Sequence, residues 1–175
     1  MKKIHLIRHA KSSWEDSLLS DVQRPLNKRG IRTCQLMASH IYAAGCHFSN
    51  VFCSPAVRAH STIERLNQHL PNVDVQWQTD DALYTFDSKR LHQFCRTLSD
   101  SVSDVVIVGH NPALTDFCNE LSSANIKNIP TCGYVQLLAD NDCDWLHMSE
   151  MDFELIQFLK PKKMMRSMGI DLDMS

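Results

Sequence analysis

The sequence predicts an α/β fold: a single-domain, three-layer sandwich with a mostly parallel central sheet and helices on both faces. Three observations carry this expectation. Short apolar or β-branched runs alternate with amphipathic helical stretches along the chain. The run at 105–108 is apolar without interruption, which suits a strand covered on both faces. No repeat, low-complexity tract or Pro/Gly/Ser linker divides the 175 residues, a length that fits one domain.

Residues 4–8 read as the first strand. Asn27 is placed to cap a helix running to about residue 44, with Ile31, Cys34, Met37, Ala38 and Ile41 on one face and Gly45 as its stop. Residues 51–53 read as the second strand. Ser54 and Pro55 are then expected as N-cap and first residue of a helix that turns Ala59, Ile63, Leu66 and Leu70 inward. Val73, Val75 and Trp77 alternate as a third strand. Residues 88–98 are expected to be helical, with Leu91, Phe94, Cys95 and Leu98 inward. After the strand at 105–108, Gly109-His110-Asn111-Pro112 turns into a helix bearing Leu114, Phe117, Cys118 and Leu121. Late strands are expected near 134–138 and 153–159. The domain is expected to span 1–163. Residues 164–175, Met-rich and then acidic, are expected to form a flexible tail, with partner binding as the alternative.

Composition narrows the partners. Lys+Arg 18 against Asp+Glu 20 leaves a net charge of −2, which gives no electrostatic basis for binding nucleic acid or an anionic membrane. The 7 Cys are odd in number and no pair has C-x-x-C spacing, so reduced, buried thiols fit better than a disulfide framework or a ribbon-type zinc site. The basic start Met1-Lys2-Lys3 is followed by an apolar stretch broken by His5 and Arg8, unlike a signal peptide. No run approaches the length of a membrane span. A soluble cytoplasmic protein is expected.

In open α/β sheets, ligands bind beyond the carboxyl ends of the strands, near helix N-termini. Arg8-His9 ends the first strand. Ser54-Pro55 ends the second, with Arg58 one turn into the next helix, and Gly109-His110 ends the fourth. Each residue alone has an ordinary explanation as a satisfied core histidine or a solvated arginine. Together, two His and two Arg converge on one rim. Arg offers a planar fork that matches phosphate oxygens, and a neutral imidazole can attack phosphorus. Neighbouring cations keep that imidazole neutral and stabilise charge in the transition state.

The segments LIRHAKSSW (6–14), RPLNKRG (24–30), SPAVRAHST (54–62) and VGHNP (108–112) resemble the histidine phosphatase, or phosphoglycerate-mutase-like, superfamily. With chain length and the late FLKPK (158–162), they resemble its small SixA-type phosphohistidine phosphatase branch, over about residues 2–163. The resemblance implies His9 as the phospho-accepting nucleophile, Arg8 and Arg58 as phosphate clamps, and His110 as the second pocket histidine. Arg24 would line the pocket as a further substrate-binding residue. Leu26, Asn27 and Gly30 match the following segment, where a helix start explains them as well as substrate contact does. No metal and no cofactor are implied.

The chain departs from the family at the proton donor. Glu15 stands where larger relatives often carry Asn. Asn111 follows His110 where acid phosphatases have Asp. The segment 79–90 holds no Glu, although mutases draw theirs from that region. Asp80, Asp81 and Asp87 could substitute, or serve as turn residues and, at Asp87, an N-cap. A missing acid favours substrates whose leaving group departs easily. The expected function is therefore a metal-independent phosphohistidine phosphatase. Its substrate would be a phosphohistidine-bearing protein such as a phosphorelay component, or a small phosphorylated compound. The alternatives are a small-molecule phosphomonoesterase and a non-catalytic phosphate-binding module. A metal hydrolase could draw on the 9 His and 7 Cys, but C-x-x-C and H-E-x-x-H spacings are lacking.

Overall fold

The computed structural model of the chain describes residues 1–139, 143–148 and 153–173. Six strands form one sheet: β1 (Lys3–Arg8), β2 (Val51–Cys53), β3 (Trp77–Thr79), β4 (Asp104–Gly109), β5 (Tyr134–Ala139) and β6 (Phe153–Leu159), in the order β3-β2-β4-β1-β5-β6. Five helices accompany them: α1 (Lys28–Ala43), α2 (Val57–Gln68), α3 (Ser88–Arg96), α4 (Ala113–Leu121) and α5 (Pro161–Ser167). Two short 3-10 turns lie at Asp21–Gln23 and Asp81–Leu83. The strands β1, β4, β2 and β3 pair in parallel, and β5 runs against both its neighbours. The fold is the expected α/β sandwich.

Strand alternation divides the apolar side chains between two layers. Ile7, Val51, Cys53, Val106 and Val108 pack with Met37, Ile41, Ile63 and Leu66 of α1 and α2. Ile4, Leu6, Val105, Ile107 and Val135 pack with Leu91, Phe94, Phe117 and Leu121 of α3 and α4. The β-branched run of β4 sits between β1 and β2, apolar on both faces as its sequence requires.

The register of this interior positions the site. Arg8 lies opposite Gly109, and Cys53 opposite Val108. His9 and His110 therefore leave adjacent parallel strands side by side, and Ser54 leaves the next. Two backbone bonds carry the alignment one residue past the strands: His9 N–H donates to Gly109 O (3.1 Å), and Ser54 N–H to Val108 O (3.0 Å).

Three expectations shift. Ser54 and Pro55 form a turn before α2, which is capped by Ala56, because the Ser54 N–H is still spent on the sheet. The third strand begins at Trp77, since the Val75 N–H is taken by Asn67 Oδ1 of α2 (2.8 Å) and not by a neighbouring strand. The boundary at 163/164 falls inside α5. Beyond it Met165 and Leu172 are buried against α1 and α2, and Asp173 pairs with Arg29. Among the described residues, no helix is long and apolar enough to cross a membrane.

Asn27 caps α1 by accepting from Gly30 N–H (2.8 Å). The same turn rests on the strand end, with Asn27 N–H donating to Lys11 O (3.0 Å). A Cβ on Gly30 would stand 2.2 Å from that Lys11 oxygen, so the helix can approach the residues after His9 only with glycine here. Gly30→Ala is expected to cost about 1–3 kcal/mol of stability, the usual penalty of overpacking. Thermal unfolding would show this as a fall of several degrees, and a parent-like melting temperature would contradict the close approach.

Candidate active site

His9 stands at the end of β1, buried, with its ring centroid 5.3 Å from that of His110. Its Nδ1 lies 2.7 Å from the Ala10 carbonyl oxygen. A carbonyl only accepts, so Nδ1 carries the imidazole proton and Nε2 carries the lone pair. Arg58 Nε points at that nitrogen from 3.4 Å. Burial pushes the His9 pKa down to about 4, with Arg58, Arg8 and Arg24 adding to the fall and the Ala10 bond opposing it. His9 is thus a neutral base near neutrality with a fixed tautomer.

His110 leaves β4 and is held by Ser54, whose Oγ lies 2.7 Å from Nε2. Ser54 Oγ also accepts from Ala56 N–H (3.2 Å). The Ser54 hydroxyl can donate to Nε2, and in that tautomer the His110 proton resides on Nδ1. Burial, then His9 and Arg58, lower its pKa to about 3.

Four buried side-chain polar atoms among the described residues lack a hydrogen-bond partner. Two of them, His5 Nε2 and Asp104 Oδ1, face each other at 2.9 Å near the start of β4. The other two, Arg8 Nε and His110 Nδ1, belong to this site. A buried polar atom left unpaired costs free energy; Arg8 Nε is a donor, and so is His110 Nδ1 in the tautomer that Ser54 allows, so the pair beside the His9 lone pair suits an anion. Arg8 is anchored from behind, its Nη1 donating to Ile129 O (2.9 Å). Asn111 Nδ2 donates to the same carbonyl (2.8 Å), while its Oδ1 accepts from Thr115 N–H and Oγ1. Asn111 therefore ties the start of α4 to the segment that braces Arg8.

A carboxylate that the sequence reading did not single out organises the opposite wall. Arg58 is fully buried, and its Nη1 and Nη2 donate to the Asp21 carbonyl (2.6 Å) and Oδ2 (2.9 Å). Two of the fork's donors are thus spent on Asp21, with Nε directed at His9. Arg24 Nε donates to Asp21 Oδ1 (3.2 Å), and the Tyr84 hydroxyl donates to Oδ2. Partial burial would raise the Asp21 pKa, but Tyr84, Arg58 and Arg24 outweigh it and hold the group at about 2. Arg24 also braces its own loop through Ser12 Oγ (2.6 Å) and beneath the Trp14 ring at 3.5 Å. It acts on the pocket through Asp21 and through its charge. The D-x-x-R spacing of Asp21 to Arg24 was the one local signal that could have found the carboxylate.

The other acidic candidates are occupied or outside. Asp80 Oδ1 accepts from Ala82 N–H and Asp87 Oδ1 from Lys89 N–H, as turn and cap residues do. Glu15 is exposed. Among the described residues, no group of three or more His, Cys, Asp or Glu could hold a metal ion. Six of the seven cysteines are buried and the seventh is partly so.

Known proteins resemble the chain in the same direction. Residues 4–88 match the histidine phosphatase superfamily (branch 1). An uncharacterized protein of Mycobacterium leprae is 25% identical over 168 residues, which are 89% of this chain and 100% of that protein. The solved protein histidine phosphatase SixA complexed with tungstate superposes with a TM-score of 0.75 at 19% identity, over 93% of this chain and 99% of that one. A candidate phosphohistidine phosphatase SixA from Agrobacterium tumefaciens gives 0.74 at 22% identity, over 91% and 99%. At such identities the structural likeness speaks for the fold.

Two outcomes follow from this electrostatic arrangement. Histidine-selective nitrogen NMR should show His9 and His110 neutral down to about pH 5, with midpoints near 4 and 3. The unfolded chain takes up these protons nearer pH 6.5. Stability that is full above that value should drain as pH falls through the window to about 3. A midpoint near 6.5 for His9 would remove the basis for a neutral nucleophile. Separately, Asp21→Asn leaves Arg58 buried without its counter-charge. Turnover is expected to fall at least about tenfold, or 1.4 kcal/mol, with Asp21→Glu recovering part of it; a parent-like Asp21→Asn would show that Arg58 is oriented by something else.

Proposed function

We propose that the chain is a member of the histidine phosphatase superfamily (branch 1), whose model matches residues 4–88, and that it is a phosphohistidine phosphatase working through a covalent intermediate on His9. The observation that carries the proposal is the buried, unpartnered pair Arg8 Nε and His110 Nδ1 beside the His9 Nε2 lone pair. These donors suit the oxygens of a phosphoryl group whose phosphorus meets Nε2.

The chemistry runs in two displacements. The Nε2 lone pair attacks phosphorus, and the bond to the leaving nitrogen breaks. That nitrogen keeps the electron pair and departs as a neutral imidazole, its ring's other nitrogen already carrying a proton. His9 then holds the phosphoryl group on Nε2 and its own proton on Nδ1. Water attacks the same phosphorus, the Nε2–P bond breaks with its electrons returning to nitrogen, and phosphate leaves with the water's protons. Arg8, Arg58 and His110 hold the oxygens in both steps, and no group need change its protonation state.

The acid balance supports the substrate class. Asp21, the carboxylate paired with Arg58, stays ionised, and Tyr84 directs its hydroxyl hydrogen to it. Neither can protonate an alkoxide near pH 7. An N–P bond, whose leaving group departs neutral, suits this site better than an alkyl ester does.

The test is a denaturing alkaline quench, which preserves N–P bonds, followed by peptide mapping. A phosphoryl group on His9 is expected, and His9→Ala should lose several orders of magnitude in rate. Turnover should rank phosphohistidine over aryl phosphate over sugar phosphate. Arg58→Lys keeps the charge without the fork and should cost about tenfold or more. A sugar phosphate hydrolysed as fast as phosphohistidine would move the assignment to a small-molecule phosphomonoesterase, and a fully active His9→Ala would end it.

A further inference from the structure

Beyond His110, the site is walled by aromatic rings. Tyr84 meets the His110 ring edge-on, with centroids 5.3 Å apart and planes at 89°. Phe86 lies 5.6 Å from the same ring and 5.8 Å from Tyr84. Tyr84 is fixed through its hydroxyl to Asp21, the carboxylate that also orients Arg58. Phe86 is 49% exposed, yet its segment is well anchored. Leu83 and Thr85 are buried before it, Thr85 Oγ1 accepts from Asp87 N–H (3.1 Å), and Asp87 then caps α3. An apolar ring is thus held, half in water, against a histidine of the active site.

We propose that Phe86, backed by Tyr84, is the specificity-determining wall for the leaving group, and that it selects substrates whose phosphoryl group is carried on a planar ring. The inference rests on His9 as the attacking nucleophile. In an in-line displacement the leaving atom lies across phosphorus from the attacking nitrogen. Ring contacts run from His9 to His110 and from His110 to Phe86, so Phe86 lies one ring removed from the nucleophile, within reach of a leaving group seated beside His110. A planar leaving group there can stack on or meet the edge of a phenyl ring, and buries its exposed face. A polyhydroxylated leaving group would need polar partners instead. The nearby Asp80 and Asp87 carboxylates are each turned to their own backbone.

The experiment compares kcat/KM for ring-bearing and ringless substrates in the parent, Phe86→Leu, Phe86→Ala and Phe86→Trp. Phosphohistidine peptide and 4-nitrophenyl phosphate form the first class, phosphoramidate and acetyl phosphate the second. The ratio of ring-bearing to ringless kcat/KM is expected to fall about tenfold in Phe86→Ala and in Phe86→Leu, and to be kept in Phe86→Trp. Equal losses in both classes, or none, would overturn the proposal. If the parent turns over 4-nitrophenyl phosphate but not phosphohistidine, the phosphohistidine reading fails while the aryl and acetyl pair still decides the role of Phe86. If nothing is turned over, calorimetric binding of phenylphosphonate against methylphosphonate decides it by the same ratio.

Discussion

The His9 Nδ1 proton, donated to the Ala10 carbonyl, sets what the rest of the site must do. It leaves the lone pair on Nε2, the arrangement that the proposed nucleophile needs. Burial, with positive charge from Arg58, Arg8 and Arg24 adding to it, keeps the ring neutral. The same cations that suppress protonation of the imidazole attract the group it would attack, so one field serves both purposes. The ring reaches this place because β1 and β4 are parallel and in register, which delivers His9 and His110 from neighbouring strand ends.

Gathering the buried Arg24 and Arg58 and the half-buried Arg8 round one imidazole needs compensation, and the chain supplies it unevenly. Arg58 has Asp21, a carboxylate held ionised by three donors. Arg8 has the Ile129 carbonyl, shared with Asn111, and an Nε with nothing. The compensated cation is the positioned one, and the uncompensated edge is where an anion gains most. Asn111 follows His110 directly, and its amide is consumed in bracing Arg8. The amide thus supplies rigidity and no transferable proton.

Features fixed by short-range rules were legible in the sequence. The β4 run, the Asn27 cap, the Asp87 cap and the inward faces of α3 and α4 all follow from spacing within a turn or two. The pairing of His9 with His110 was readable because both end strands of a parallel sheet. Asp21 was not, since its partners Arg58 and Tyr84 lie 37 and 63 residues away and its own loop has no periodicity. Ser54 looked like a helix cap, yet its N–H stays with the sheet and its hydroxyl serves His110. The alternation at Val73 and Val75 suggested a strand, and a single side-chain bond from Asn67 removes Val75 from the sheet. Tertiary hydrogen bonds decided each of these cases against local preference.

The most direct measurement of the central claim is a crystal structure with vanadate. Vanadium adopts the five-coordinate geometry of a phosphoryl group in transfer. His9 Nε2 is expected at an axial position, with Arg8 Nε and His110 Nδ1 within hydrogen-bond distance of the equatorial oxygens and Arg58 still held by Asp21. Vanadate bound elsewhere, or bound through His9 while Arg8 Nε and His110 Nδ1 stay unpaired, would contradict it.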